Sequence, residues 1–201
     1  MNRKTAMKLF GLLGLLMLLS CGYADRHRNN SSCEQVLVDS LEVRVQDSLF
    51  SNVHYSRSQV LDALTQAQDS QVYYRLLALY GKTFFVSSDF DSILYYNRRV
   101  KEFFRNASQS SESLQSPQWN DVLSDVYNIE GNVWMQLYRP DSAITDYKKA
   151  YEYRLKGRKL HLLPDICINT ADAYLHRSDL AHTASYYRRA LFLCDSLNLS
   201  E

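Results

Sequence analysis

The sequence predicts an all-α fold for the body of the chain. Glycine and proline are scarce, with six and three residues in the whole chain. Apolar residues recur with a period near 3.6, as in Leu37, Leu41, Val45 and Leu49, and no stretch alternates as a strand would. Three stretches of equal length also align with each other without a gap, which indicates stacked helical hairpins.

The first twenty residues have the pattern of a secretory signal peptide. Residues 1–8 carry three positive charges and no acid, and residues 9–19 are almost entirely apolar. This apolar run is shorter than the about 20 residues that a membrane-spanning helix needs. We therefore expect residues 1–20 to be removed, and the alternative is an uncut signal anchor.

The residues Leu18-Leu19-Ser20-Cys21 follow the apolar run and resemble the lipobox of bacterial lipoproteins. This resemblance implies that the Cys21 thiol receives a diacylglycerol, that the signal is cut before Cys21, and that the new amino group is acylated. Two or three acyl chains hold a protein firmly on a membrane, whereas one chain binds only marginally. Residues 21–32 then comprise the lipidated cysteine and a polar tether.

The lipoprotein resemblance also implies a location in the bacterial cell envelope, outside the cytoplasm. Gly22 stands where an aspartate retains some lipoproteins at the inner membrane, so the outer membrane is favoured by analogy. Removal of residues 1–20 takes away three positive charges and no negative ones, which changes the net charge from +1 to −2. This near-neutral body argues against a nucleic acid partner.

Three cysteines remain if Cys21 is lipidated, and their spacing fits neither a disulfide framework nor a zinc motif. They are Cys33, Cys167 and Cys194. For the last two we favour small buried side chains, and a bridge between them is the alternative.

The sequence pattern over residues 33–70 predicts two helices, with a break between them near residues 52–56. We interpret them as a degenerate hairpin that caps the first end of the repeats. The aligned stretches follow, at residues 78–100, 128–150 and 168–190.

Each aligned stretch has a small residue, an aromatic three positions later, a polar turn, and two more inward positions on a second helix. These positions are Gly81, Gly131 and Ala171; Phe84, Trp134 and Tyr174; Ile93, Ala143 and Thr183; and Val100, Ala150 and Ala190. The small residue lets two helices approach closely, and the aromatic fills the space beside it. Such a hairpin can bury its apolar face only against a neighbouring hairpin.

At these positions the chain resembles the tetratricopeptide repeat (TPR) family. The resemblance implies a right-handed solenoid of stacked antiparallel helical hairpins over residues 71–201. We assign three hairpins to about 71–105, 121–157 and 161–199, with a serine-rich surface loop at 106–118. The order of lipobox, capping helices and repeats also resembles envelope TPR lipoproteins of Bacteroidetes-type bacteria.

Members of the TPR family usually bind proteins on the concave surface formed by the first helix of each hairpin. Helical spacing predicts that the residues facing this groove are Lys82, Phe85, Asn128, Asn132, Met135, Gln136, Asp172, Leu175 and His176. The resemblance thus implies a membrane-anchored scaffold or adaptor with a protein or peptide partner. The alternative is an extracytoplasmic sensory module that relays a signal to a transcriptional or envelope regulator.

The sequence contains no phosphate-binding loop, no nucleophile elbow and no zincin-type histidine pair. His176 and His182 flank a turn near Asp179, but no third ligand has the usual spacing, so a solvated turn is favoured over a metal site. We therefore expect no enzymatic activity, no cofactor and no metal.

Dibasic pairs recur at 98–99, 148–149 and 188–189, on the second helix of each hairpin. A solvated helix face is favoured over a basic ridge that contacts anionic lipid. The leucine-rich end at 191–199 lacks the polar cap that solenoids normally have. We therefore expect it to pair with a second copy, as a homo-oligomer, or with a partner.

Overall fold

The computed structural model describes residues 35–48, 51–107 and 112–197, and the regular structure within these ranges is entirely helical. The all-α prediction is therefore confirmed. None of the described helices is long and apolar enough to cross a membrane. The predicted signal peptide, Cys21 and the polar tether lie outside the described residues.

Eight α-helices account for most of the described chain. They are α1 (35–48), α2 (Val53–Gln66), α3 (Ser70–Lys82), α4 (Phe90–Ala107), α5 (Pro117–Gln136), α6 (Pro140–Arg154), α7 (Leu163–His176) and α8 (Leu180–Ser196). Short 3₁₀ helices at Glu112–Gln115 and Leu160–Leu162 precede α5 and α7. Helices pack as consecutive pairs, α3 with α4, α5 with α6 and α7 with α8, and α6 also packs on α7.

Helices α1 and α2 are separated near the position predicted from the sequence. The side chain of Asn52 accepts a 3.2 Å hydrogen bond from the Tyr55 N–H and so caps α2. The buried face of α1 consists of Val38, Leu41 and Val45, which pack in one cluster with apolar residues of α2 and α3. Leu37, which we placed on this face, is instead half exposed, and Val38 takes its place in the core. Leu49, the fourth residue of the predicted face, lies outside the described residues.

The three predicted hairpins share the same turn. Ser88, Tyr138 and Ser178 occupy aligned positions, and each has a left-handed backbone with φ of 53°, 56° and 59°. The next N–H donates to the carbonyl of the aligned aromatic residue: Asp89 to Phe84 (3.2 Å), Arg139 to Trp134 (2.8 Å) and Asp179 to Tyr174 (3.0 Å). These bonds close each helix with a Schellman-type cap, although none of the three left-handed residues is a glycine.

The aligned small residues of the repeat signature are all buried. They are Gly81, Gly131, Ala143, Ala150, Ala171 and Ala190. At Gly131 the ring of Tyr147 occupies the space that a Cβ would need, and at Gly81 a Cβ would lie 3.1 Å from Tyr96 Cβ. The glycines thus allow the second helix to pack directly on the first in the first two hairpins.

The aligned aromatics also contact equivalent positions on the second helix. Phe84 stacks on Tyr96, and Tyr174 stacks on Tyr186. In the middle hairpin the indole Nε1 of Trp134 donates to Asp146 Oδ2 at 2.8 Å. The aligned residue on the second helix therefore contacts the aromatic in all three hairpins, although it is a tyrosine in the first and third hairpins and an aspartate in the second.

The serine-rich insertion contains less loop than the sequence predicts. Helix α4 continues to Ala107, and α5 begins at Pro117, which precedes the start that we assigned. Ser116 accepts a hydrogen bond from the Trp119 N–H, and proline is favourable at the first helical position. Between these helices a 3₁₀ turn buries Leu114 in the core.

Candidate functional site

Most of the residues predicted for the groove line one cavity beside α5 and α7, of about 280 Å³. We call it the groove cavity. Seven of the nine predicted residues line it: Phe85, Asn132, Met135, Gln136, Asp172, Leu175 and His176. Tyr147 and Asn169, which the sequence did not single out, complete its lining.

Two aligned tyrosines hold the polar residues of this cavity. Tyr147 donates a 2.7 Å hydrogen bond to Asn132 Oδ1, and Tyr187 donates to Asp172 Oδ1 at the aligned position of the next hairpin. Burial raises the pKa of Tyr147, and the hydrogen bond to Asp172 raises the pKa of Tyr187. Both hydroxyls therefore remain protonated donors at neutral pH and fix the amide and carboxylate that they contact.

Two of the residues predicted for the groove, Asn128 and Lys82, do not line the groove cavity. Asn169 Nδ2 donates to Asn128 Oδ1 at 3.1 Å and so ties α7 to α5. Lys82 donates to Gln46 of α1 at 2.6 Å and lines a second, larger cavity.

The second cavity has a volume of about 520 Å³ and lies between α1, α3, α5 and the segment 158–162. We call it the α1 cavity. Its apolar lining includes Val43, Ala78, Val122, Val126, Ile129 and Leu162. The sequence pattern did not predict this cavity, because we assigned the residues of α1 only a capping role.

Ion pairs and hydrogen bonds hold α1 over the α1 cavity. Arg75 Nη2 contacts Asp39 Oδ1 at 2.6 Å and Glu42 Oε1 at 3.1 Å. Lys159 Nζ contacts Glu42 Oε2 at 3.0 Å, and Gln118 Nε2 donates to Asp39 Oδ1 at 3.0 Å. These contacts join residues that are as far as 117 positions apart in the chain.

The buried carboxylate of Asp121 holds residues Arg158 and Lys159, which follow α6 and line the α1 cavity. Its Oδ1 accepts from Arg154 Nη1 at 2.8 Å and from the Lys159 N–H at 3.2 Å. Its Oδ2 accepts from the Arg158 N–H at 3.0 Å. Arg154 is itself only 1% exposed and also contacts Asp125, so a buried charge network fixes this segment.

The two histidines near the predicted turn have different surroundings. His176 lines the groove cavity, whereas His182 pairs with Asp179 at 2.8 Å and stacks on Tyr174. The hydrogen bond from His182 lowers the pKa of Asp179. Across the residues that the structure describes, no three His, Cys, Asp or Glu side chains are grouped as metal ligands would be.

The bridge that the sequence left open between Cys167 and Cys194 is not formed. Both residues are free cysteines; Cys167 is fully buried and Cys194 is half-buried. Burial raises the pKa of Cys167 to about 11. Cys167 therefore serves as a small core residue, as the favoured interpretation predicts, whereas Cys194 is less buried than that interpretation predicts.

The dibasic pairs lie on the surface, and the second residue of each pair covers an aromatic ring. Arg99 lies 5.9 Å from the Tyr95 ring centroid. Lys149 lies 5.0 Å from that of Tyr127, and Arg189 lies 4.4 Å from that of Tyr151. The second cation of each pair therefore forms a cation–π contact, on a helix face that is exposed to solvent.

Helix α8 presents apolar side chains to solvent. Leu180, Leu191 and Phe192 are each more than two thirds exposed, while Leu193 and Leu197 are half-buried. The predicted contact residue Leu199 lies outside the described part of the chain.

Comparison with known proteins found no family model and no curated protein that matches this chain.

Proposed function

We propose that the protein is a non-enzymatic scaffold or adaptor that holds a protein segment in the groove cavity. The observation that carries this proposal is that seven predicted groove residues, which come from α5, α7 and the turn after α3, line one cavity. Residues more than 80 positions apart in the chain, such as Phe85 and His176, thus line one cavity, as their helical spacing led us to expect.

The lining of the groove cavity suits an extended peptide. Its apolar side chains, Phe85, Met135 and Leu175, offer contact area for apolar residues. Asn132 and Gln136 carry amide groups that both donate and accept hydrogen bonds, as a peptide backbone requires. This combination of apolar area with a few fixed polar groups is typical of ligand sites.

The repeated geometry supports the further proposal that the chain is a TPR-like right-handed solenoid. The three hairpins share the left-handed turn residue and the bond that closes it. They also share a buried small residue packed against the second helix. A groove on the first helices follows from such an arrangement.

We also propose that the protein is a lipoprotein anchored through Cys21 in the bacterial envelope, with the outer membrane favoured. The support is the signal pattern in the sequence. The mass of the membrane-extracted protein tests this proposal: loss of residues 1–20 with added acyl mass is expected. A species that keeps residues 1–20 would contradict it.

The adaptor proposal is tested by photo-crosslinking in living cells from Gln136, which is exposed and lines the groove cavity. A crosslinker at Thr145, exposed on α6, is the control. We expect one dominant protein to be captured from position 136 and not from position 145.

A pair of matched substitutions makes this test specific. Leu175 lines the groove cavity and is 47% exposed, and Leu155 at the end of α6 is 52% exposed and lines none of the cavities described above. We expect Leu175→Asp to abolish the crosslink and Leu155→Asp to preserve it. Crosslinks to copies of this chain alone would overturn the adaptor proposal and indicate a homo-oligomer through surfaces such as the exposed face of α8.

A further inference from the structure

The α1 cavity has the size and lining of a ligand site in its own right. Its volume of about 520 Å³ lies within the about 300–1,000 Å³ of small-ligand pockets. The apolar part of the lining is aliphatic, with no Phe, Tyr or Trp. An aliphatic group of matching shape therefore fits this cavity better than a charged one.

One buried side chain of the lining, Arg75, has an acceptor for only one of its three guanidinium nitrogens. Arg75 is 3% exposed, and its Nη2 contacts Asp39 and Glu42. Its Nε and Nη1 are buried and have no acceptor in the structure. Buried donors are nearly always paired in native proteins, because an unmade hydrogen bond is costly. An acceptor oxygen brought by a ligand would supply what Arg75 lacks.

The charges of the lining favour a neutral acceptor over a carboxylate. Four acids line the cavity, Asp39, Glu42, Asp47 and Asp125, and four cations balance them, Arg75, Lys82, Arg158 and Lys159. An ionised ligand would face the two acids that already neutralise Arg75. A peptide carbonyl is a neutral acceptor, and it lies within one residue of a side chain that can enter the aliphatic space.

We propose that the α1 cavity holds one large aliphatic side chain of an extended peptide, whose main-chain carbonyl accepts hydrogen bonds from Arg75. This inference goes beyond the proposed function, since the residues that line the α1 cavity are different from those that line the groove cavity. The α1 cavity is then a specificity pocket that selects segments with a Leu, Ile or Met residue.

The test is selection of a phage-displayed library of random decapeptides on the purified full chain. We expect the selected peptides to share an aliphatic residue at one position. In a synthetic copy of a selected peptide, replacing that residue by Asn is expected to weaken binding by at least about tenfold, the effect of losing one buried side chain of this size.

Two matched substitutions on α1 show where the aliphatic residue binds. Val43 lines the α1 cavity and is 62% exposed, so Val43→Trp covers the cavity without disturbing the core. Val36, two turns earlier on the same helix, is 66% exposed and does not line the cavity. We expect Val43→Trp to weaken peptide binding at least about tenfold, whereas Val36→Trp leaves it unchanged.

The contact with Arg75 has its own variant. Arg75→Lys keeps a positive charge for Asp39 and Glu42 but lacks the Nε and Nη1 donors. We expect it to weaken every selected peptide by about fivefold, the effect of one hydrogen bond, and to preserve the aliphatic preference.

The outcomes separate this inference from the proposed function. If peptides are selected without an aliphatic preference, or if Val43→Trp and Val36→Trp behave alike, the inference is overturned and the scaffold proposal stands. An Arg75→Lys variant that binds as the wild type would overturn the carbonyl contact. If no peptide is selected, this inference is overturned, and the scaffold proposal is decided by the crosslink from position 136.

Discussion

The ring of Tyr147 packs directly on Gly131 and leaves no space for even one methyl group at that position. We expect Gly131→Ala to lower the free energy of unfolding by about 1–3 kcal/mol, because the ring must move and it also donates to Asn132. Urea denaturation of the two proteins measures this difference.

Gly81→Ala at the aligned position of the first hairpin is the control for this effect. A Cβ there would lie 3.1 Å from Tyr96 Cβ, a tight contact that a small shift relieves. The gain in helix propensity, about 1 kcal/mol, offsets the strain. We expect a change close to zero, and equal losses at both glycines would contradict this account.

The buried carboxylate of Asp121 makes a second measurable contribution to stability. Asp121→Asn removes the charge that pairs with Arg154 and replaces one of the two acceptor oxygens, which bind Arg154 and the backbone after α6, by an NH2 group. We expect a loss of about 2–3 kcal/mol in urea denaturation, since the buried Arg154 loses one of its two ionised partners and keeps only Asp125. The same substitution at Asp141, which is 80% exposed and pairs with Arg177 at 2.9 Å, is expected to have little effect. Similar losses at both sites would refute the assignment.

Glu130 on α5 gives the stability a pH dependence of defined sign. Burial raises its pKa above 4.5, although Lys101 Nζ lies 2.6 Å away. The ionised form is thus less favourable in the folded than in the unfolded protein. As the pH falls from neutral toward 4.5, wild type should therefore gain stability relative to Glu130→Gln, which takes up no proton.

The measurement for Glu130 is the difference in unfolding free energy between wild type and Glu130→Gln at pH 7 and pH 5. The same substitution at the exposed Glu152 serves as the control. A difference for Glu130→Gln that stays constant with pH, or that changes in the opposite direction, would show that burial does not dominate at this site.

The two described cysteines should differ in reactivity. Cys167 is fully buried and its pKa is raised to about 11, so at pH 8 it carries almost no thiolate. We expect iodoacetamide to label Cys194 in the native protein and to label Cys167 only after unfolding. Peptide mass spectrometry after labelling reports both sites. Labelling of Cys167 as fast as Cys194 would mean that this part of α7 opens readily.

The repeat alignment depends on local geometry, and the structure has a pair of consecutive packed helices at each of the three aligned stretches. A small residue and an aromatic three positions later lie on the same helix face, so their spacing predicted where each first helix packs. The left-handed turn residues were not predicted, since Ser88, Tyr138 and Ser178 are not glycines. The hydrogen bonds that close these turns override the local preference of the side chains.

The α1 cavity could not be predicted from the same pattern. Periodicity reports which residues share a helix face, but not which distant segments meet. The contact between Glu42 and Lys159 joins positions 117 residues apart, and Asp121 aligns with no residue of similar chemistry in the other hairpins. Only the folded chain shows that these groups surround one space.

The long-range contacts of α1 also have a kinetic consequence. Hairpins such as α5 with α6 close over short stretches of chain, whereas the pairing of Glu42 with Lys159 encloses more than a hundred residues. The entropy lost on closing a loop grows with its length, so contacts of this kind form after local ones. Helix α1 packs on the neighbouring α2 and α3, so we expect only its contact with Lys159 to form late in folding. The α1 cavity is then one of the last parts of the protein to acquire its shape.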